Sequence, residues 1–110
     1  MLRTEQVIKE VCRYIEDHMD QTINVNEMAR SFGYSHVHLN RLFKEIMGST
    51  ISQFIRNNKM ECAKRLLLNQ DITISEIAYK LGYAHSGHFS RIFQTIAGTS
   101  PTNYRKHAEK

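Results

Sequence analysis

Apolar residues recur along this chain at the spacing of an α-helix, in short blocks that end at glycine. One such block carries Val25, Met28, Ala29 and Phe32, which are three, one and three positions apart and so share one helical face. Gly33 follows directly, and glycine is typical of the position just after a helix. No segment alternates apolar and polar positions in a β-branched run, so the pattern predicts helices and no strands.

The pattern occurs twice. Residues 74–83 (ISEIAYKLGY) repeat residues 25–34 (VNEMARSFGY) at an offset of 49, with identical Glu, Ala, Gly and Tyr. Residues 89–98 (FSRIFQTIAG) repeat residues 39–48 (LNRLFKEIMG) at an offset of 50, so the second copy has one extra residue in the turn after Tyr83. Two copies are too few for a solenoid and instead predict two similar units in one chain.

Each copy has the pattern of two helices joined by a glycine-containing turn, which is the helix-turn-helix arrangement. Asn24 and Thr73 each stand three positions before a Glu, the spacing of a capping box, and predict where the first helix of each copy begins. The predicted apolar face of the second helix comprises Leu39, Leu42, Phe43 and Ile46 in the first copy and Phe89, Ile92, Phe93 and Ile96 in the second.

Three further helices complete the two cores, because two helices alone bury too little apolar surface. The first spans about residues 4–20 and presents Val7, Val11, Ile15 and Met19 at helical spacing. A capping box at residues 50–53 opens a long helix that runs to about residue 69. Ser100 and Pro101 open the last helix, in which Tyr104 takes the place that Phe54 has in the first copy.

The sequence therefore predicts an all-α fold of seven helices, with two helix-turn-helix subdomains joined by a long linker helix. The predicted boundaries are 1–49 for the first subdomain, 50–69 for the linker helix and 70–110 for the second subdomain. A linker of roughly 18 residues spans about 27 Å at 1.5 Å per residue. That length is comparable with the roughly 34 Å of one DNA turn.

A second stripe runs beside the predicted core face of each second helix, and neither stripe contains an acid. The first outward stripe comprises Val37, Asn40, Arg41 and Lys44, and the second outward stripe comprises Gly87, Ser90, Arg91 and Gln94. Arginine binds a guanine edge through two parallel hydrogen bonds, and Asn or Gln binds adenine in the same way. His36 and Ser86 lie in the first turns, where helix N-termini approach phosphates or base edges. A lone Arg is ordinarily a solvated one, but its recurrence in both copies predicts two DNA-recognition helices.

The charge distribution agrees with this interpretation. The formal net charge is +4 and the sequence pI is about 9.2. Residues 1–27 hold six acids and three bases, residues 28–60 hold one acid and five bases, and residues 77–108 hold four bases and no acid. Two basic regions after an acidic opening favour contact with a polyanion, although an unevenly charged solvated surface is the alternative.

The other candidate chemistries are weak. Cys12 and Cys62 form no disulfide framework and no metal-ligand pair, and they are expected to be small buried side chains in a cytoplasmic protein. The His pairs at 36/38 and 85/88 have no Cys or carboxylate beside them, so we expect no metal and no cofactor. No apolar run approaches 18 residues, which predicts no membrane span. The chain has no phosphate loop, nucleophile elbow or paired carboxylates, so we expect no enzyme activity.

These residues resemble the DNA-binding domain of the AraC/XylS family of bacterial transcription regulators over about residues 5–107. The most specific matches are Gly33–Ser35, Leu39–Lys44, Lys59–Met60, Gly82–Tyr83, Phe89–Phe93 and Gly98–Pro101. The resemblance implies sequence-specific binding of a monomer to two adjacent major-groove segments of double-stranded DNA, and activation through contact with RNA polymerase. The DNA-facing residues that it implies by position are His36, Val37, Asn40, Arg41, Lys44, Ser86, Gly87, Ser90, Arg91 and Gln94.

Three positions depart from the family pattern. His85 stands where the family often has Asp, which puts the cap of the second recognition helix in question. Gly87 offers no side chain at a contact position and weakens the helix start. Val37 replaces a large aromatic side chain and either touches a thymine methyl group or packs within the protein.

The length of the chain leaves no room for a separate effector domain, and the initial Met favours a short standalone regulator. Two alternatives stay open. One is the DNA-binding part of a larger, effector-responsive regulator. The other is a helical protein–protein interaction module, whose binding would depend weakly on salt.

Overall fold

The computed structural model describes residues 3–108, which contain seven α-helices and no strand. The helices are α1 Thr4–Asp17, α2 Val25–Ser31, α3 His36–Met47, α4 Ile51–Leu67, α5 Ile74–Lys80, α6 Ser86–Ala97 and α7 Pro101–Ala108. The predicted all-α fold is confirmed, with each helix close to its expected place. Within the described range no helix is both long and apolar enough to cross a membrane.

The helices form two compact units, each with its own apolar core. The first unit comprises the residues up to Met19 together with Ile23–Arg56, and the second comprises Asp20–Thr22 and the residues from Asn57 onward. α4 therefore contributes its first six residues to the first unit and the rest to the second.

The core of the first unit is built from one face each of α1, α2 and α3, together with the start of α4. Its fully enclosed side chains are Val7, Ile8, Val11, Ile15, Met28, Ala29, Leu39, Phe43 and Ile51. Ile8 belongs to this core although the predicted face of α1 omitted it. Met19 lies beyond α1, because the helix ends at Asp17 and the Nδ1 of His18 bonds the Tyr14 carbonyl oxygen at 2.7 Å. That contact gives the end of α1 a side-chain partner where the sequence pattern predicted a further turn.

The second core repeats the first with α4 in the place of α1. It contains Met60, Ala63, Leu67, Ile77, Ala78, Leu81, Phe89 and Phe93. The α4 members have the same three- and four-residue spacing as the buried residues 8, 11 and 15 of α1. The Tyr104 ring meets Phe93 edge-on at 5.6 Å, and the Phe54 ring meets Phe43 edge-on at 5.2 Å. The predicted equivalence of Tyr104 and Phe54 is therefore confirmed.

Some predicted core positions are not enclosed. Ile46 is 41% exposed and Ile96 is 36% exposed, so the prediction that both complete the buried face was wrong. Each lies in the last turn of its helix. Ile46 lines an open groove beside α1 with Met47 and Cys12 instead of entering the core. Cys12 and Cys62 are half-buried at the core margins, and burial raises the pKa of the Cys12 thiol.

The turn between the two helices of each copy is built by the same backbone hydrogen bonds. In the first unit the N–H of Gly33 donates to the Arg30 carbonyl and the N–H of Tyr34 to the Ala29 carbonyl, both at 3.0 Å. The corresponding bonds in the second unit join residues 82 to 79 and 83 to 78, also at 3.0 Å. This pair of bonds is a Schellman motif, which requires a left-handed residue. The φ angles of +82° and +84° at Gly33 and Gly82 meet that requirement.

The second turn also contacts a buried lysine. Lys59 is 6% exposed, and its ammonium donates to the carbonyl oxygens of Gln21 at 2.8 Å and Leu81 at 2.6 Å. It also lies 5.3 Å from the centre of the Tyr83 ring. These acceptors compensate the loss of water around the charge, while burial still lowers the pKa of Lys59. The packing is tight, because a Cβ on Gly82 would lie 2.8 Å from the Gln21 carbonyl carbon.

We expect Gly82→Ala to destabilise the protein more than Gly33→Ala. Both glycines have φ near +80°, so both variants incur the left-handed penalty of roughly 1–2 kcal/mol. Only the methyl group at residue 82 meets backbone, because nothing lies within 4 Å of a Cβ on Gly33. Urea unfolding followed by circular dichroism should show an additional loss of about 1 kcal/mol or more for Gly82→Ala. Equal losses would mean that the Gln21 backbone yields to the methyl group without cost.

Candidate nucleic-acid interface

α3 is anchored by one face and capped at both ends. Leu39 and Phe43 are fully buried in the first core. The Ser35 hydroxyl accepts the N–H of His38 at 3.1 Å, and Gly48 ends the helix with a φ of +82°. The start and the end of α3 are therefore defined by local hydrogen bonding, and its rotation about its own axis is set by the two buried side chains.

This anchoring turns the first outward stripe toward solvent. Arg41 and Lys44 are exposed, and so is His36 in the first turn. Val37 is 77% exposed, so its side chain does not pack within the protein. Asn40 is half-buried at the edge of the stripe. All five residues that were predicted for this helix thus reach one accessible surface, with Asn40 the least accessible.

α6 presents the second outward stripe in the same way, with one difference at its start. Phe89 and Phe93 are fully buried. The exposed members are Gly87, Arg91 and Gln94, and the half-buried ones are Ser86 and Ser90. The residue in the N-cap position, His85, makes no side-chain capping hydrogen bond. α6 therefore begins without the side-chain acceptor that Ser35 supplies to α3.

The cations of both stripes form no ion pair within residues 3–108. The one ion pair among residues 3–108 joins Lys64 and Glu61, at 3.2 Å. Arg41, Lys44 and Arg91 consequently have no carboxylate partner in the part of the chain that the structure describes. Cations without an ion-pair partner, on stripes that contain no acid, attract a polyanion and lose little when they bind it. The same described range contains no cluster of three or more His, Cys, Asp or Glu that would hold a metal ion.

Arg105 belongs to the basic C-terminal region, but its side chain binds backbone groups of the second unit. Its guanidinium donates to the carbonyl oxygens of Leu67 at 3.0 Å, Asn69 at 3.1 Å and Ile72 at 2.6 Å. These carbonyls lie at the end of α4 and in the segment after it, where backbone acceptors lack helical partners. The charge pattern alone could not show that Arg105 stabilises the fold while Arg91 is exposed. A usable signal is that the corresponding residue of the first copy is Ile55, so this Arg is not part of the duplicated pattern.

Two His residues near the turns have an aromatic partner that sequence reasoning missed. The His38 ring meets Tyr34 edge-on at 5.2 Å, and the His88 ring meets Tyr83 edge-on at 5.7 Å. Both pairs occupy equivalent places in the two copies. The signal was present in the sequence, because His38 and His88 are identical at the offset of 50. These contacts tie the first turn of each second helix to the preceding turn.

Comparison with known proteins extends this picture. A family model described as a helix-turn-helix domain matches residues 28–107. The regulatory protein SoxS of Salmonella typhimurium is 32% identical to this chain over 101 residues, which cover 92% of this chain and 94% of that protein. The similarity thus spans both copies and is not confined to one helix-turn-helix.

Solved structures show the same arrangement of helices. The C-terminal domain of AraT, a response regulator from Geobacillus stearothermophilus, has a TM-score of 0.90 and 30% identity, with 96% of this chain and 88% of that chain covered. The DNA-binding domain of AdpA, described as a global transcriptional factor and solved in complex with a target DNA, has a TM-score of 0.85 and 25% identity. The match covers 91% of this chain and 90% of that chain.

The capping difference between α3 and α6 leads to opposite expectations for two substitutions. His85→Ser should supply the missing acceptor and raise the free energy of unfolding by about 0.5–1 kcal/mol. Ser35→Ala should remove an existing cap and lower it by about 1 kcal/mol. Thermal and urea unfolding of both variants check this. No gain in His85→Ser would mean that the φ of −134° at residue 85, against −73° at Ser35, keeps a hydroxyl out of reach.

Proposed function

This chain belongs to the AraC/XylS family of helix-turn-helix transcription regulators, and on that premise we propose that it binds a specific DNA site as a monomer, with α3 and α6 in two adjacent major-groove segments. The family comprises DNA-binding regulators and not enzymes. One observation carries the finer proposal. Two equivalent helices each present an exposed stripe that contains an unpaired Arg and no acid.

In the first unit, we assign base reading to Arg41 and Val37. Arg41 is exposed and has the two parallel N–H groups that match the O6 and N7 atoms of guanine. Val37 is 77% exposed, and its apolar side chain suits a thymine methyl group. Lys44 and His36 lie one turn to either side, and we assign them to phosphate oxygens or to the nearest base edge.

In this proposal the second unit makes fewer base-specific contacts than the first. Gly87 has no side chain, and Arg91 mainly holds a phosphate. Ser86 and Ser90 are half-buried and short, and exposed Gln94 is the longest neutral side chain of the second outward stripe. Specificity would therefore come chiefly from α3, while α6 adds affinity.

The monomeric mode is supported by the continuity of α4. This helix of 17 residues contributes to both units without interruption. Dimers of ordinary helix-turn-helix proteins place two recognition helices about one DNA turn apart. We propose that one copy of this chain does the same, and that it activates transcription through contact with RNA polymerase. The DNA-binding, regulatory part of this proposal is supported by SoxS, a regulatory protein of which this chain covers 94%, and by the AdpA domain bound to its target DNA.

A second reading is that the chain acts as the DNA-binding part of a longer, effector-responsive regulator. The similarity to AraT favours it, since the related structure there is the C-terminal domain of a response regulator. Both readings give the two outward stripes the same role.

We expect Arg41→Ala and Arg91→Ala to weaken DNA binding in different ways. Arg41→Ala should cost about 1–3 kcal/mol and relax specificity at one base pair. Arg91→Ala should weaken binding to all sequences and reduce the salt slope by about 1. Fluorescence anisotropy with a site selected from random DNA, at two salt concentrations, measures both effects. Arg13→Ala, an exposed Arg on α1, is the matched control and should bind like the parent protein.

Two results would contradict the proposal. Unchanged affinity of both Arg41→Ala and Arg91→Ala would show that α3 and α6 are not recognition helices. Binding that depends weakly on salt and not on sequence would instead identify a protein–protein module, because phosphate contacts release counterions.

The assignment of Val37 is tested by deleting thymine methyl groups. Replacing the relevant thymine by deoxyuridine should cost the parent protein about 0.8 kcal/mol, the value of one buried methylene-sized group. Val37→Ala should bind both DNAs equally. The control is Leu68→Ala, which shortens an exposed apolar side chain outside the stripes. A methyl effect that persists in Val37→Ala would assign the contact to another residue.

A further inference from the structure

The side-chain oxygen of Asn40 has a partner inside the first unit. It accepts the backbone N–H of Ile51 at 2.9 Å, at the first position of α4. The first N–H groups of a helix have no partner within the helix. Ile51 is fully buried, so water does not offer a ready alternative acceptor. The Asn40 side chain therefore caps the N-terminus of α4.

The neighbouring N–H groups of this helix start are also accounted for. Thr50 and Gln53 form a reciprocal capping box, with the Gln53 N–H bonded to the Thr50 hydroxyl at 3.1 Å and the Thr50 N–H bonded to the Gln53 side chain at 3.0 Å. No member of that box serves Ile51. The Asn40 oxygen is thus not redundant.

This hydrogen bond determines the orientation of the Asn40 amide. A backbone N–H only donates, so the group that faces it must be the oxygen and not the NH2. The oxygen is turned to the α4 backbone. The NH2 group, with two N–H donors, is what remains for a ligand of the stripe.

The second unit lacks the corresponding bond for a chemical reason. Ser90 occupies the place of Asn40, and Pro101 occupies the place of Ile51. Proline has no N–H, so no donor at that position needs an acceptor. The edge-on contacts of Phe54 with Phe43 and of Tyr104 with Phe93 place the two following helices equivalently in their own units. The hydroxyl of Ser90 is therefore not needed as a helix cap.

We propose that Asn40 reads DNA only as a hydrogen-bond donor, so that the base it faces is guanine in preference to adenine. The inference rests on the proposed function and specifies its base readout. Bidentate recognition of adenine needs the amide oxygen and the NH2 to face the base together, because adenine offers N7 as acceptor and N6 as donor. Guanine offers two neighbouring acceptors, N7 and O6, whereas adenine offers the N7 acceptor beside an N6 donor that an NH2 group cannot match. Ser90 keeps both a donor and an acceptor, which makes its position tolerant of any base.

The first test is selection of bound fragments from random DNA by the parent protein and by Asn40→Ala. The position whose base preference disappears in Asn40→Ala is the one that Asn40 faces. We expect guanine there, favoured over adenine by about tenfold. Enrichment of adenine at that position, or no position that depends on Asn40, would overturn the proposal.

A second variant frees the oxygen without touching the stripe. Ile51→Pro removes the N–H that Asn40 caps, and proline is well tolerated at the first position of a helix, as Pro101 is in α7. The adenine preference at the Asn40 position should then rise, by about tenfold relative to guanine. Ile51→Val keeps the N–H and should behave like the parent protein. A folded Ile51→Pro protein with unchanged preference would overturn the proposal.

Should Ile51→Pro fail to fold, Asn40→Asp serves instead. It keeps an acceptor for the Ile51 N–H but has no donor, so the unfolding midpoint should hold while the preference for guanine is lost. A retained preference would overturn the proposal.

The failure of this inference differs from the failure of the proposed function. If Arg41→Ala still weakens binding while adenine is selected opposite Asn40, only the donor-only readout is wrong. If Arg41→Ala and Arg91→Ala leave DNA affinity unchanged, the assignment of α3 and α6 as recognition helices is wrong, and the inference about Asn40 fails with it.

Discussion

The burial of two side chains one turn apart orients each second helix of the duplicated pair. Leu39 and Phe43 fill the first core, and Phe89 and Phe93 fill the second. A helix that is held at two points on one face cannot rotate without moving apolar surface into water, at a cost of roughly 25 cal/mol per Å². The residues that follow the buried ones by one or two positions are therefore turned outward. The exposure of Arg41 is a consequence of the burial of its neighbours.

The second constraint is that backbone N–H and C=O groups at the helix ends need hydrogen-bond partners. Three polar side chains supply such partners. Lys59 binds two carbonyl oxygens beside the second turn, Arg105 binds three at and beyond the end of α4, and Asn40 binds the N–H at the start of α4. An unpaired buried backbone group costs about 1–3 kcal/mol, which is a large share of the stability of a small domain. Polar residues that satisfy such groups are less available to a ligand, whatever their charge.

The two copies have kept the same core and diverged at these helix ends. Ser35 caps α3, whereas His85 leaves α6 without a side-chain cap. The position equivalent to Ile51 is Pro101 in the second copy, which has no N–H to cap. Such changes alter which polar groups remain free while leaving the packed faces alone. Duplication of a helix pair thus yields two equivalent helix faces that offer different hydrogen-bonding groups.

The sequence by itself determined the helices, their caps, the duplication and the outward stripes, because these follow from spacing along one chain and from the repeat offset. It did not determine that Ile46 and Ile96 stay partly exposed, since enclosure depends on where a partner helix ends. Nor did it reveal the partners of Asn40 or Arg105, which lie 11 and 33 to 38 residues away along the chain. Only the folded arrangement brings a helix end against such a side chain, and hydrogen bonding at that distance leaves no periodic mark in the sequence.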